Sequence, residues 1–266
     1  MASDDDNPQR RAAIITGGGT GVGAATAVAL ACRGYDVAVC YSRSAGEAED
    51  VVAQCKALGA DAIAVQGDVA DDAACRATVA AAVARFGRLD ALVNSAGTTQ
   101  FVPLSDLDGQ SAEDFQKIYA INVIGPYQMA RAAAPHLRRG GLGAIVSVSS
   151  VGSLNGNGSS YSYVTSKAAL NTLTLALARN LAPEIRVNAV LPGLIETRWL
   201  KVGLGEEAYQ RVRDGWADAA ALGKTCTADD VAQTIAWLIA DAKLVTGQLL
   251  TVDGGFLLGR PTRVAR

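Results

Sequence analysis

From Arg11 onward, short apolar runs alternate with longer, alanine-rich amphipathic stretches, and this alternation constrains the fold more than any other feature. Ala12-Ala13-Ile14-Ile15 reads as a buried strand, followed by glycines and a helix over 24–33. Residues 36–41 read as a second strand. The spacing Ser44-Ala45-Gly46-Glu47 predicts a capping box that opens a helix with Val51, Val52, Cys55 and Leu58 on its apolar face. Residues 62–65 form a third strand, and Asp71 caps a helix running to Phe86 and Gly87. Further strands follow at 89–93, 144–148, 186–191 and 249–252, with long helices at about 111–138 and 160–182. Strands that alternate with helices predict right-handed βαβ units, hence an α/β protein with a doubly wound parallel sheet covered on both faces. No linker or repeat interrupts the series, so one domain is expected over 11–266. The least regular stretch is 193–226, which carries Trp199 and Trp216. It emerges beyond the carboxyl ends of the strands, where open parallel sheets bind ligands.

Composition narrows the function. Half of the 266 residues are hydrophobic, and the formal net charge of −2 is spread along the chain. Nucleic-acid and membrane-surface partners need a concentrated basic face, so neither is expected. The arginines of the tail, Arg260, Arg263 and Arg266, are read as solvated. The five cysteines are odd in number and contain no CxxC pair, which points to reduced, mostly buried thiols of a cytoplasmic protein. His136 is the single histidine, so no metal site is expected and no Ser–His–Asp hydrolase is favoured. It lies in Pro135-His136-Leu137-Arg138-Arg139-Gly140, which reads as a helix end, where a cation is favourable. Residues 1–10 contain Asp4-Asp5-Asp6 and no apolar run; a disordered leader is expected there, not a signal peptide or anchor.

Two groups of residues carry chemistry. Thr16-Gly17-Gly18-Gly19-Thr20-Gly21-Val22-Gly23 joins the first strand to the first helix. Glycines there let the backbone turn tightly and approach a pyrophosphate, whose charge the helix N–H groups hold. Gly19-x-Gly21-x-x-Ala24 fits the general dinucleotide pattern and Thr16-Gly17-xxx-Gly21-x-Gly23 a narrower one, although a plain strand-to-helix turn also fits. Downstream, Tyr163-Val164-Thr165-Ser166-Lys167 puts a phenol and an ammonium on one helix face. The ammonium favours the phenolate, so the pair can exchange a proton with an alcohol or carbonyl oxygen. Tyr161 has only Thr165 four residues on, and Ser149-Ser150 brings two hydroxyls to the sheet's carboxyl edge. Solvated i, i+4 pairs of this kind are common, so the weight rests on the combination.

Together these residues resemble the short-chain dehydrogenase/reductases. The matches are Thr16-Gly17-xxx-Gly21-x-Gly23, Asn94-Ser95-Ala96-Gly97, Ser150, Tyr163-xxx-Lys167, Pro192-Gly193, Thr246-Gly247-Gln248 and Asp253-Gly254-Gly255, in the family's order over roughly 11–256. The resemblance implies a seven-stranded Rossmann fold, a homotetramer, and hydride transfer between a nicotinamide cofactor and a small carbonyl or secondary alcohol. Within the family the chain is similar to the 3-oxoacyl-carrier-protein reductase and glucose dehydrogenase branch. The resemblance makes Tyr163 the proton donor or acceptor and Ser150 the hydroxyl that holds the substrate oxygen. It makes Lys167 the group that lowers the Tyr163 pKa and binds the nicotinamide ribose, and Asn122 the fourth catalytic residue, supporting a relay water. For the cofactor it implies Gly17, Gly19, Thr20, Gly21, Val22 and Gly23 at the phosphates and Ser42, Arg43 and Ser44 at the adenosine ribose. Asp68 and Val69 would meet the adenine, Asn94 would steady the central strands, Ile195 and Thr197 would contact the nicotinamide carboxamide, and Ala96, Gly97, Pro192 and Gly193 complete the implied cofactor-binding set. Ser95 departs from the pattern, where the family more often has a second Asn. A cofactor-binding regulator with the same fold and no chemistry is the competing reading, but such proteins usually lose the Tyr or the Lys. An enoyl reductase is disfavoured because that branch spaces its Tyr and Lys further apart.

NADP(H) is favoured over NAD(H). An acid ending the second strand would accept the ribose 2′-hydroxyl, whereas Cys40-Tyr41-Ser42-Arg43-Ser44 has none and offers a guanidinium for a 2′-phosphate. Against this, Thr20 stands where NADP-preferring relatives often carry a second basic residue. A substrate loop is expected at about 194–222, with Gln100, Phe101, Leu154, Asn155 and Tyr161 lining the pocket.

Overall fold

The structure, a computed structural model, describes residues 10–196 and 198–260. Thr197, residues 1–9 of the expected leader, and Arg263 and Arg266 of the tail lie outside the described residues. Arg10, which the sequence reading placed with the leader, donates to Asp36 at 2.9 Å.

Seven strands make one sheet among the described residues: β1 (Arg11–Thr16), β2 (Tyr35–Tyr41), β3 (Ala62–Gln66), β4 (Ala91–Asn94), β5 (Gly143–Val148), β6 (Ile185–Pro192) and β7 (Leu249–Val252). Their order is β3-β2-β1-β4-β5-β6-β7 and every pairing is parallel. Alternate residues of a strand face opposite sides, so a sheet covered twice needs apolar residues at nearly every position. In β1, Ala13 and Ile15 pack with α1 (Gly21–Cys32), α2 (Ala45–Ala57) and α10 (Ala228–Ala240), while Ala12 and Ile14 pack with α3 (Asp72–Phe86), α5 (Gly125–Arg139) and α7 (Tyr161–Leu181).

Local sequence explains most helix ends. Asp71 caps α3 by accepting from Ala73 N at 2.8 Å, and Gly87 closes that helix at φ +73°. His136 sits in the last turn of α5, as its sequence surroundings predict. The Ser44 box does not form: Ser44 has φ −89° and ψ +61°, and its side chain makes no capping bond to α2. An N-cap hydroxyl reaches the N3 amide from an extended backbone, which Ser111 (ψ 169°) and Thr227 (ψ 163°) have. Both form complete boxes, with Asp114 at the start of α4 (Ala112–Tyr119) and with Asp230 at the start of α10.

The expected helix over 111–138 is interrupted. Between α4 and α5 lies a π-helical turn, Ala120–Ile124. Pro126, in the first turn of α5, has no N–H to give to the carbonyl of residue 122, and Gly125 N bonds Ala120 O five residues back. The stretch read as irregular, 193–226, holds two helices, α8 (Arg198–Leu204) and α9 (Glu206–Ala219), separated by Gly205 at φ +76°. A short helix, α6 (Gly152–Asn155), follows β5. Helix α10 is held from below: buried Arg186 on β6 donates to Leu238 O (2.7 Å), Ile239 O (3.0 Å) and Ala242 O (2.9 Å), placing a cation at the helix's carboxyl end. No helix among the described residues is long and apolar enough to cross a membrane.

Candidate active site

Strand β1 leads on to β2 on one side and abuts β4 on the other, so the loops after β1 and β4 diverge and leave a crevice at the carboxyl edge. Gly17 (φ +62°) meets the loop after β4 directly: a Cβ there would lie 2.9 Å from Ala96 Cα. At Gly23 a Cβ would lie 2.2 Å from Gly17 O, so the first turn of α1 packs on the loop that precedes it. Thr16 ties the two loops together, its hydroxyl oxygen accepting from Ser95 N and Ala96 N, each at 3.1 Å. Thr20 is extended and provides no side-chain cap for α1, and the helix has no acid in its first turn. The positive end of α1 therefore faces the glycine loop (Gly19, Thr20, Gly21, with Val22 buried behind it), which suits a dinucleotide's pyrophosphate.

The remaining cofactor candidates follow the strand ends. Arg43, between Ser42 and Ser44 after β2, is exposed. After β3, Asp68 Oδ1 accepts from Ala70 N at 3.0 Å, and buried Val69 receives Gln128 Nε2 on its carbonyl at 2.8 Å. Beyond β6, Pro192 leads to Gly193, whose N–H donates to Val252 O at 2.9 Å, and Ile195 bridges to Cys226. Asn94 is buried at the end of β4, but its link to β5 is a long 3.5 Å contact from Nδ2 to Ser147 Oγ.

The first turn of α7 brings Tyr163 and Lys167 to Ser150 at the end of β5. Ser160 caps it through Tyr163 N (3.3 Å), and Gln110, from the loop before α4, accepts from Ser162 N (3.1 Å). Tyr163 is half-buried and hydrogen-bonds Ser150, whose Oγ also accepts from Gly152 N at 3.1 Å. Ser149 points elsewhere, its hydroxyl donating to Lys167 O at 3.2 Å. Lys167 is buried, donates to Val148 O at 2.8 Å and lies 5.7 Å from the centre of the Tyr163 ring. A Cβ on Gly97 would fall 3.5 Å from Lys167 Nζ and 3.6 Å from Asn122 Oδ1, so the missing side chain keeps the space between them open. Asn122 sits on the π-helical turn, accepts from Thr98 N (2.9 Å), and donates to Thr98 O (3.0 Å) and Ser166 Oγ (3.0 Å). Tyr161 faces away, its hydroxyl donating to Leu104 O at 2.8 Å.

A family model described as enoyl-(acyl carrier protein) reductase matches residues 17–257. The chain is 36% identical to a 3-oxoacyl-[acyl-carrier-protein] reductase of Staphylococcus aureus, over 93% of this chain and 98% of the relative. It is 38% identical to L-rhamnose 1-dehydrogenase (NAD(P)(+)) of Sphingomonas sp., over 91% and 94%. A short-chain type dehydrogenase/reductase from Mycobacterium ulcerans superposes with a TM-score of 0.86 at 29% identity, covering 95% of this chain and 91% of that one. The chain belongs to the short-chain dehydrogenase/reductase family. It is an NAD(P)-dependent oxidoreductase acting on carbonyl and alcohol groups of small molecules.

Electrostatics at this dehydrogenase/reductase site depart from the sequence expectation in one respect. Lys167 is expected to depress the Tyr163 phenol, yet burial is the larger effect and pushes that phenol up, with the Ser150 hydrogen bond pulling the other way. The reason lies in the lysine's own surroundings. Its ammonium is committed to a backbone carbonyl, and burial lowers its pKa to about 8. Residues with no assigned role in the sequence reading also build the site: the hydroxyl of Thr16, Ser166 beneath Asn122, and Gln110 at the start of α7. Thr16 and Ser166 carried a signal, the first opening the glycine motif and the second lying inside the Tyr163–Lys167 interval; Gln110 carried none. Burial raises Cys40 and Cys55 to about 11 and Cys75 to about 12, so these stay protonated thiols.

The lowered pKa of Lys167 has a consequence for stability. Below pH 8 the folded protein holds a buried charge that the unfolded chain keeps in water. Between 8 and 10.5 the folded state sheds that proton first, so the penalty fades as pH rises. Lys167→Met is therefore expected to stabilise the fold at pH 7 by up to about 3 kcal/mol, with the gain shrinking towards zero above pH 10. Thermal unfolding of both proteins at pH 7 and pH 10 measures this. A variant less stable than wild type at pH 7 would overturn it.

Proposed function

We propose that the protein is a carbonyl reductase or alcohol dehydrogenase in which Tyr163 carries the proton and NADP(H) is preferred to NAD(H). The observation that carries this reading is the hydrogen bond between Ser150 and Tyr163 beside the buried ammonium of Lys167. When bound, the nicotinamide supplies or accepts the hydride. The Ser150 hydroxyl holds the substrate oxygen, and Tyr163 gives that oxygen its proton in reduction or takes it in oxidation. Lys167 places positive charge next to the phenol as it ionises and offers a donor to the nicotinamide ribose. Asn122 acts through position: it holds the Thr98 backbone and Ser166, which bonds Tyr163 O at 2.7 Å, and so keeps the loop and the first turn of α7 aligned.

The matching family model is named for an enoyl reductase, but the four-residue step from Tyr163 to Lys167 and the relatives named for oxoacyl and sugar substrates favour C=O chemistry. One cofactor-binding domain, with 194–222 as its substrate loop, fits the single sheet. A cytoplasmic homotetramer is the assembly we infer. Ile124 and Tyr127, at the start of α5, and Leu175 on α7 stand exposed on helices that cover the same face of the sheet, and an association face needs such side chains.

Tyr163→Phe removes the proton and keeps the ring. Turnover is expected to fall by at least about 10⁴-fold, the upper end for a general acid or base, with cofactor binding retained. Tyr161→Phe loses the bond to Leu104 O and is expected to alter substrate KM modestly. Steady-state kinetics on a panel of ketones, 3-oxoacyl thioesters and sugars tests both, and a Tyr163→Phe enzyme with most of its kcat would refute the mechanism. Arg43→Asp is expected to weaken NADPH far more than NADH in titrations by fluorescence; equal losses would show that Arg43 reads no 2′-phosphate. Light scattering at micromolar concentration is expected to give about four times the 27.3 kDa chain mass, and a monomer mass would sink the assembly proposal.

A further inference from the structure

Residues 198–225 leave the sheet edge as a flap. Its base is closed by Cys226 N donating to Leu194 O and Glu196 N donating to Cys226 O, both at 2.9 Å. On its far side, Trp216 of α9 stacks on Phe256 with ring centres 3.8 Å apart. Helix α8 belongs to this flap, and Gly203 lies within it. Gly203 has none of the positive φ that would call for glycine, and alanine is the stronger helix former. The reason for a glycine is steric. A Cβ at this position would lie 2.1 Å from Phe101 Cε2, 2.5 Å from Cζ and 2.7 Å from Cδ2. The edge of the Phe101 ring occupies the space where a side chain would stand.

Phe101 is held in turn by the loop after β4, which is fastened to the start of α7. Thr98 is bonded through both its N and its O to Asn122. Thr99 Oγ1 and Ser159 Oγ lie 2.6 Å apart, Val102 N donates to Ser159 O at 2.9 Å, and Gln110 Nε2 donates to Ser162 Oγ at 2.6 Å. The loop that carries Phe101 is thus fastened to the first turn of α7, which holds Tyr163. We propose that the Phe101–Gly203 contact is the seat on which the flap closes over Tyr163, and that this pair sets how bulky a carbonyl substrate the site admits. The proposal rests on the carbonyl chemistry above for its kinetic part only; the seating itself is a property of the protein without substrate.

The test is a double-mutant cycle of Gly203→Ala, Phe101→Ala and the combined variant in the full chain. Exposed Lys201 in α8 serves as a tryptic site that is cut only when the helix lifts and opens. Gly203→Ala is expected to speed cleavage after Lys201 and to raise KM for ketones by about tenfold or more, as overpacking does, with a smaller change in kcat and unchanged NADPH binding. Phe101→Ala alone is expected to speed cleavage as well and to shift preference towards ketones with bulkier substituents. In the Phe101→Ala background the added methyl has room, so Gly203→Ala should cost nothing further. Were Gly203 free of contact, the alanine would strengthen α8 and slow cleavage. That opposite sign, or equal effects of Gly203→Ala with and without Phe101, overturns the proposal. If Gly203→Ala fails to fold, Phe101→Ala decides alone: wild-type cleavage and wild-type size preference would refute it. Proteolysis is read without turnover, so failure of the seat and failure of the reaction assignment are distinguishable.

Discussion

The approach of the β1 loop to the β4 loop is the constraint on which the rest of the site depends. At Gly17 the two backbones touch so closely that no side chain fits, and the Thr16 hydroxyl accepts the first two amides after β4. This contact lies where the parallel sheet reverses its winding. It aims the positive end of α1 into the crevice and orders the start of the 95–98 segment. Thr98, at the end of that segment, holds Asn122, and Asn122 holds Ser166 one residue before Lys167. The glycine loop and the group formed by Ser150, Tyr163 and Lys167 are therefore parts of one hydrogen-bonded unit.

Burial within this unit works against the charge it contains. Lys167 has left water for a single strong bond to Val148 O, and its pKa drops to about 8. An ammonium so placed is held at a cost to the fold, and its charge is weakly screened. The Tyr163 phenol is raised for the same reason, so the protein by itself keeps the proton on the tyrosine. A site of this kind trades stability for reactivity, as functional sites commonly do.

The flap has a different physical character. The core strands are buried on both faces, whereas α8 carries exposed residues and rests on Phe101 through a glycine. Buried Tyr209 and the Trp216–Phe256 stack anchor α9, while Lys201, Val202 and Gly203 of α8 are exposed.

Local sequence determined the element types, the seven-strand order of appearance and the cofactor-type glycine loop, because burial on two faces demands continuous apolar strands and close backbone approach demands glycine. The four-residue step from Tyr163 to Lys167 likewise follows from helix geometry alone. Other features were settled only by tertiary packing. The close seating of α5 on the loop after β3 is one, since a Cβ on Gly125 would lie 2.8 Å from Val69 Cγ2. The failure of the Ser44 box rests on a backbone of φ −89° and ψ +61° that the Ser44-to-Glu47 spacing does not reveal, and the Ser149 hydroxyl is claimed by Lys167 O. The environment of Lys167, and with it the pKa of about 8, exists only once β5 closes over the lysine. Periodicity and spacing are properties of a few neighbouring residues and survive in the sequence; desolvation and hydrogen-bond competition are set by groups distant along the chain, and only the folded structure brings them together.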